Sequence, residues 1–435
     1  MELYNKKITV VGLGKTGFAT ALFLQKRGAM VTVTDTAGED RIGSKAADLK
    51  KIGVRVELGG HTTASFENAD LIVLSPGIPE TISPLKKAAL KGVPITGEIE
   101  LASRFIKEPI IAVTGTNGKT TVTALTGKML KCSGLKIFVG GNIGNPLIGY
   151  LDQKEKAQVV VVELSSFQLD TIDTFRPKVS VLLNITQDHL DRYKNFNAYV
   201  ESKGRIFKNQ TEEDFAVYND SDSFVIKLTE NIKAKKIPFS WDLKENHSVI
   251  SQIDLSRVKL FGAHNLENIY AASLAATAAG GTPAGIQDAV NSFKGLDHRL
   301  EYIKTVGNVK YFDDSKATNP DAVKKALESF TLPVILIMGG RNKGYDFKML
   351  AEPVKKHVKR LILLGEAGDE IKSALGDIIS CETVSSMDEA VFAAHRASES
   401  KDVVLLSPAC SSFDMYTGYA QRGKVFQQIV NKLCI

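Results

Sequence analysis

The sequence predicts an α/β protein built as three successive domains, each a largely parallel sheet covered by helices. Two observations carry this. Short β-branched runs ending in turn residues alternate with segments of helical periodicity, and this alternation restarts twice along the chain. The length, 435 residues, also exceeds what one ordinary core accommodates.

The first block opens with "KITVVGLG", followed by "GFATALFLQKRG", whose apolar residues recur at helical spacing, then "MVTVTD" and "DLIVLSPG". Gly12, Gly14 and Gly17 form a G-x-G-x-x-G turn after the first strand, and Asp35 ends the second. That is the outline of a Rossmann-like nucleotide site: glycines let the backbone approach a diphosphate at a helix N-terminus. A helical connector, "PITGEIELASRFIKEP", precedes a new strand at Ile110. The second block then runs through "PIIAVTG", "KIFVGGNIG", "QVVVVELSS" and "VSVLLNIT". A turn at "KGLDHRLEYI" leads to a hairpin-like stretch, "EYIKTVGNVKYFDDS", and to a third block with "VILIMGG", "RLILLGE" and "DVVLLSPA". The expected domains are residues 1–97, 98–299 and 300–435. No tandem repeat or low-complexity segment interrupts them.

The charge balance, 55 Lys+Arg against 49 Asp+Glu for a net +6, suits anionic small ligands and makes no case for nucleic acid. "AKKIP" and "VKKHVKR" read as solvated helix or loop faces. Four cysteines (Cys132, Cys381, Cys410 and Cys434) lack C-x-x-C spacing, which points to a reducing compartment without a zinc ribbon. "MELYNKK" runs straight into a strand with no signal peptide, and no apolar run reaches the ~18 residues a membrane helix needs. The expectation is a cytoplasmic monomer, since no heptad or exposed strand pattern calls for a partner.

The second block carries the strongest motif. "IIAVTGTNGKTTVTALTGKML" reads as strand, glycine loop and helix, a P-loop ATPase-like arrangement. Backbone N–H groups of Gly115, Thr116, Asn117 and Gly118 can cradle phosphates, with Lys119 reaching the β/γ-phosphates. Thr120 is placed to ligate Mg²⁺ through its hydroxyl, with Thr121 beside it. The spacing departs from G-x-x-x-x-G-K-[ST], because position 113 is Val. The plainer reading, a βα turn that happens to hold a lysine, leaves Gly-Lys-Thr-Thr unexplained. Glu163 follows the buried run "VVVV" and is either a metal ligand or a helix-start charge. Asp188 and His189 follow the next strand in an Asp-His-x-Asp cluster.

Taken in order, "GTNGKTT", "ELSSFQL", "NITQDHLDR", "HNLENIYAA", "LDHRLE" and "DDSKATNPDA" resemble the Mur ligases, the ATP-dependent amino-acid-adding enzymes of peptidoglycan synthesis. The resemblance spans about residues 7 to 427. "DDSKATNP", "SPACSSFD" and the N-terminal "GLGKTG" are most similar to members that add D-glutamate to UDP-N-acetylmuramoyl-L-alanine. It implies two Mg²⁺ ions, held by Thr120 and Glu163 and by His189, with Lys203 in "AYVESKGRIF" carbamylated to supply an anionic oxygen. Without the resemblance Lys203 reads as an ordinary helix-surface lysine. It further implies ATP contacts at Asn268, Arg299 and Asp314, and a phosphate-proximal Lys316. D-Glutamate contacts fall at Thr318, Lys343, Ser412 and Phe413, with Tyr419 packing nearby. UDP-substrate contacts fall at Gly14, Lys15, Thr16, Asp35, Thr36, Ser75, Gly77, Asn142, Ser165 and Gln168. One departure stands out: Ala37 occupies a position where relatives often carry arginine, which removes one uracil-side contact. Simpler roles exist for several of these residues. Asn268 can start a helix, Arg299 can pair in a linker, and Ser412 can be an N-cap. Cys410 has no local histidine partner and reads as packing.

Three other functions compete. A nicotinamide-dependent oxidoreductase explains the first glycine turn but leaves "GTNGKTT" and "DHLDR" idle. An ATP-driven switch leaves "SKATN" and "SPACSS" idle. A folylpolyglutamate synthase is a related ligase, but the N-terminal glycine turn favours a UDP ligand over a folate.

Overall fold

The computed structural model describes residues 1–188, 192–240, 248–258, 260 and 262–433. Three sheets follow one another along the chain. The first holds β1 (Lys7–Val11), β2 (Met30–Asp35), β3 (Arg55–Leu58), β4 (Leu71–Leu74) and β5 (Ile95–Gly97), all parallel, in the order β3-β2-β1-β4-β5. The second holds β6 (Ile110–Thr114), β7 (Ile137–Gly141), β8 (Val159–Glu163), β9 (Val179–Leu182), β10 (Phe215–Asn219) and β11 (Lys235–Phe239), again all parallel, in the order β11-β10-β9-β6-β8-β7. The third holds β12 (Glu301–Val306), β13 (Val309–Asp313), β14 (Val334–Gly339), β15 (Val358–Leu364), β16 (Cys381–Thr383) and β17 (Val403–Leu406), in the order β12-β13-β17-β14-β15-β16.

The apolar runs explain the layering. Every residue of β6 and β8 is buried, because helices cover both faces of a parallel sheet. In β14 the side chains alternate: Leu336 and Met338 join one core cluster, Ile335 and Ile337 the cluster on the opposite face. The hairpin-like stretch is a hairpin, β12 pairing antiparallel with β13. Gly307 (φ 55°) and Asn308 (φ 64°) make its two-residue turn, which needs positive φ at both positions. Two readings from sequence fail: the last three residues of "VKKHVKR" open strand β15 after a helix that ends at His357, and "AKKIP" is neither helix nor loop but lies largely in the edge strand β11. Its Lys235 and Lys236 are exposed, as charges on an unprotected edge commonly are.

The described residues pack as two compact units. One comprises Met1–Ile185, Asn195–Asp254 and Ile269–Val290 and contains the first two sheets. The other comprises Thr186–Lys194, Leu255–Asn268 and Asn291–Ile435 and contains the third. No helix among the described residues is long and apolar enough to cross a membrane.

Candidate active site

At the carboxyl end of the first sheet, strand order reverses beside β1, the place where open α/β sheets take ligands. Gly12 has φ 95°, and a Cβ on Gly17 would lie 1.7 Å from the Gly12 carbonyl oxygen, so both positions require glycine. The helix Lys15–Lys26 starts at Gly14 with no side-chain cap, leaving its first N–H groups for an anion. Ser75 Oγ donates to the Gly12 carbonyl at 3.2 Å, and Lys15 Nζ donates to the Gly144 carbonyl at 2.5 Å. Asp35 accepts the Leu13 N–H at 2.6 Å on one oxygen and the Ala37 N–H at 2.8 Å on the other. Its carboxylate therefore ties the glycine turn to the end of β2. Thr36 and Gly77 are exposed, and Thr16 is partly buried.

At the carboxyl end of the central sheet, β6 runs into the loop Gly115–Gly118 and the helix Lys119–Cys132. Gly115 (φ 153°) and Gly118 (φ 86°) give the loop its curvature. Asn184, just past β9, locks it: its Oδ1 accepts the Asn117 N–H at 2.8 Å and its amide donates to the Asn117 carbonyl at 3.1 Å. Lys119 Nζ folds back onto the carbonyls of Gly115 (2.9 Å) and Thr116 (2.8 Å). Lys203 is only 1% exposed and donates to the same Gly115 carbonyl at 2.8 Å, with its ammonium 4.7 Å from the Tyr199 ring centroid. The Tyr199 and Thr116 hydroxyls meet at 3.0 Å. Thr120 and Thr121 follow in the first helical turn.

Glu163 ends β8 and is 2% exposed. Its Oε1 accepts from the Asn142 side chain at 2.8 Å, and its buried Oε2 has no hydrogen-bond partner among the described residues. An ionised oxygen left bare in a buried place is costly unless a cation meets it. The donor set here is carboxylate and hydroxyl oxygen beside a phosphate-type loop, which is hard-cation chemistry and fits Mg²⁺. Ser165 and Gln168 form a capping box on the helix Ser166–Asp170, so their polar groups serve one another first. His189 lies outside the described residues.

In the second unit, the carboxyl ends of β13, β14 and β17 carry most of the remaining candidates. Asp314 is 8% exposed; burial pushes its carboxyl up to about 7, against hydrogen bonds from Ser407 Oγ (2.8 Å) and the Leu300 N–H. Lys316 Nζ donates to the Tyr419 hydroxyl at 3.1 Å and lies 4.6 Å from that ring's centroid. Thr318 and Lys343 are partly buried, Ser412 is buried and Phe413 is exposed. Asn268 is buried and donates to Asn265 Oδ1 at 3.0 Å. The Tyr345 hydroxyl donates to Asp188 Oδ1. Cys410 is fully buried in the apolar core and its thiol is pushed up to about 12 by burial, so it is packing and not a nucleophile.

Three residues that organise these loops carried no signal in the sequence. Asn184 and Tyr199 fix the central loop. Arg422, 2% exposed, donates to the carbonyls of Ser315 (2.9 Å) and Cys410 (3.0 Å), pinning the segments that precede Lys316 and Ser412. Burial holds its guanidinium down at about 10. Only the fold, not local spacing, brings those carbonyls to one arginine.

Comparison with known proteins matches the sequence to three family models. They are the Mur ligase MurD-like N-terminal domain over residues 6–97, the Mur ligase middle domain over 113–276 and the Mur ligase glutamate ligase domain over 298–410. The chain is 51% identical to the UDP-N-acetylmuramoylalanine–D-glutamate ligase of Desulfosudis oleivorans, across 100% of this chain and 98% of that protein. It is 49% identical to the ligase of the same name from Desulfatibacillum aliphaticivorans, across all of both chains. Among solved structures, the UDP-N-acetylmuramate-alanine ligase MurC of Thermotoga maritima superposes with a TM-score of 0.60 at 20% identity, over 98% of this chain and 99% of that one, a likeness of fold.

Proposed function

Because the chain belongs to the Mur ligase family, we propose that it is the D-glutamate-adding ligase of peptidoglycan precursor synthesis. The substrates are then ATP, UDP-N-acetylmuramoyl-L-alanine and D-glutamate. The observation that carries this reading is the buried, bare Glu163 oxygen beside a glycine loop on which two lysines converge. Such a site sets one cation, Lys119, and metal affinity where two anions, a carboxylate and a triphosphate, must approach.

The chemistry follows from that need. A carboxylate oxygen of the alanyl group attacks the γ-phosphorus, and the bond to ADP breaks. The resulting acyl phosphate is an electrophile where the carboxylate was not. The neutral amine of D-glutamate then adds to the acyl carbon, and the tetrahedral intermediate gives up one amine proton and expels phosphate, which takes up a proton, as the amide forms. Lys119, released from its own loop carbonyls, is assigned to the γ-phosphate. Thr120 and Glu163 are assigned to one Mg²⁺, which screens phosphate charge when bound, and His189 to a second. Lys203 is assigned as a carbamate, formed when its neutral amine takes up CO₂ and releases a proton; its burial against Gly115 supports that role. The roles expected from the resemblance at Asn268, Arg299 and Asp314 for the nucleotide, and at Lys316, Thr318, Lys343, Ser412, Phe413 and Tyr419 for D-glutamate, are proposed likewise. The first-sheet residues, with Asn142, Ser165 and Gln168, are proposed for the UDP-substrate. The domains 1–97, 98–299 and 300–435 are proposed as the UDP, ATP and amino-acid modules.

The deciding assay measures phosphate release from ATP. It should require UDP-N-acetylmuramoyl-L-alanine, D-glutamate and Mg²⁺ together. Equal turnover with meso-diaminopimelate or lysine in place of D-glutamate rejects the assignment.

A further inference from the structure

The loop after β3 is seated on the end of β2. The Gly59 N–H donates to the Ala37 carbonyl at 3.0 Å and the Gly60 N–H to the Asp35 carbonyl at 3.2 Å. His61 follows, at the same carboxyl edge of the sheet as the glycine turn and Asp35. Its Nδ1 lies 2.9 Å from the hydroxyl oxygen of Thr34, and that hydroxyl also lies 3.1 Å from the Gly60 carbonyl.

Proton counting fixes the tautomer. A carbonyl only accepts, so the single hydroxyl proton of Thr34 is spent on Gly60. The Thr34 oxygen must then accept from His61, which places the imidazole proton on Nδ1. Burial lowers the His61 pKa against the pull of Asp35 and Glu57, so the ring is neutral at pH 7. Nε2 therefore presents a lone pair. The ring is partly exposed, no described residue hydrogen-bonds to that nitrogen, and an edge contact with Phe66 (centroids 5.6 Å apart, 72° between planes) steadies it.

Along this edge the exposed Thr36 hydroxyl both donates and accepts, so by itself it does not tell one base from another. Both Asp35 oxygens already hold backbone N–H groups, and Ala37 has no polar side chain. Resting on the reading that the first sheet binds a UDP-linked substrate, we propose that His61 reads the base: its Nε2 accepts the N3–H of uracil. Cytosine presents a lone pair at N3, which would face the lone pair of Nε2, so the same nitrogen selects against cytidine nucleotides.

Calorimetric titration of UDP and of CDP into the wild-type protein and His61→Ala, with melting temperatures recorded, tests this. The wild type should prefer UDP. His61→Ala should bind UDP roughly tenfold more weakly while its CDP affinity barely moves, as expected for one lost hydrogen bond. Unchanged UDP affinity in the variant overturns the proposal. Nitrogen chemical shifts of His61 in the wild-type protein test it without any substitution: a proton on Nε2 overturns it, one on Nδ1 supports it. A wild type that binds neither nucleotide instead overturns the functional reading on which the proposal stands.

Discussion

The chain carries two glycine turns built alike, one after β1 and one after β6, and they are equipped for different work. Each follows a buried strand, uses at least one positive-φ glycine and opens a helix with no side-chain cap. Around the turn at Gly12 no lysine among the described residues is drawn in: Lys15 reaches away to Gly144, and the Gly12 carbonyl accepts from the neutral hydroxyl of Ser75. Around the turn at Gly115, Lys119 and Lys203 share one carbonyl, and Glu163 waits with a bare oxygen. Backbone geometry alone makes a diphosphate seat. In the proposed function, converging charge distinguishes the turn assigned to phosphoryl transfer from the one assigned to holding a substrate.

The sharpest way to break this comparison exchanges nothing but the two lysines. Lys119→Ala should lower kcat by about 10²–10³-fold, the scale seen when one charge-stabilising group is removed. Lys15→Ala should act mainly through KM for the UDP-substrate, since the role proposed for it is to hold that substrate. Steady-state phosphate release measures both. A Lys15→Ala protein that loses turnover while Lys119→Ala keeps it would reverse the roles assigned to the turns.

How much of this was legible beforehand differs between the two turns for a physical reason. Gly12, Gly17, Gly115 and Lys119 are read directly, because a glycine turn is a local device of a few consecutive residues. Glu163 is read nearly as well, since a carboxylate ending an all-apolar strand is conspicuous. Lys203 is not. Its helix has little amphipathic pattern, and the lysine is buried only because that helix packs against a loop 88 residues earlier in the chain. Asp35 shows the opposite limit. Its position suggests a ligand contact; each of its oxygens also accepts a backbone N–H, from Leu13 and from Ala37, a structural duty that spacing does not show. Spacing locates a residue in the fold but does not reveal how its lone pairs are spent.

A middle-sized effect tests whether the first turn tolerates any change of shape. A Cβ at Gly17 would stand 1.7 Å from the Gly12 carbonyl oxygen, so Gly17→Ala must displace backbone. Overpacking of this kind costs roughly 1–3 kcal/mol. Thermal denaturation should show that loss, and KM for the UDP-substrate should rise with KM for ATP unchanged. At Gly14 nothing lies within 4 Å of where a Cβ would sit, so Gly14→Ala should fold nearly as well as the wild type. Equal stability of the two variants would show that the close approach inside the turn is not what demands glycine.

The smallest effect concerns what joins the turns. The helix Glu98–Ser103 leads from the first sheet toward β6, and two of its carboxylates are held in opposite ways. Burial pushes Glu98 up to about 7; its Oε1 accepts the Ile148 N–H at 2.6 Å, just beyond the segment whose Gly144 takes Lys15, while its Oε2 has no partner among the described residues. Burial acts on Glu100 too, but donation from the Thr174 hydroxyl, the Asp173 and Phe175 N–H groups and Arg104 outweighs it and brings that carboxyl down to about 2. The signs follow from linkage. A folded-state value raised above the unfolded one, about 4.3, makes Glu98 favour folding most at low pH. That contribution is lost as pH rises through about 7. Glu100 contributes above about 4.3 and loses its contribution as pH falls toward 2. Glu98→Gln should therefore flatten the decline in melting temperature between pH 5 and 8, leaving the neutral form's contact with Ile148 in place. Glu100→Gln should cost roughly 1–3 kcal/mol at pH 7, with the difference closing in acid. If Glu98→Gln instead runs parallel to the wild type across that range, Glu98 is already ionised in the folded protein, and the connector is held by charge and not by a buried proton.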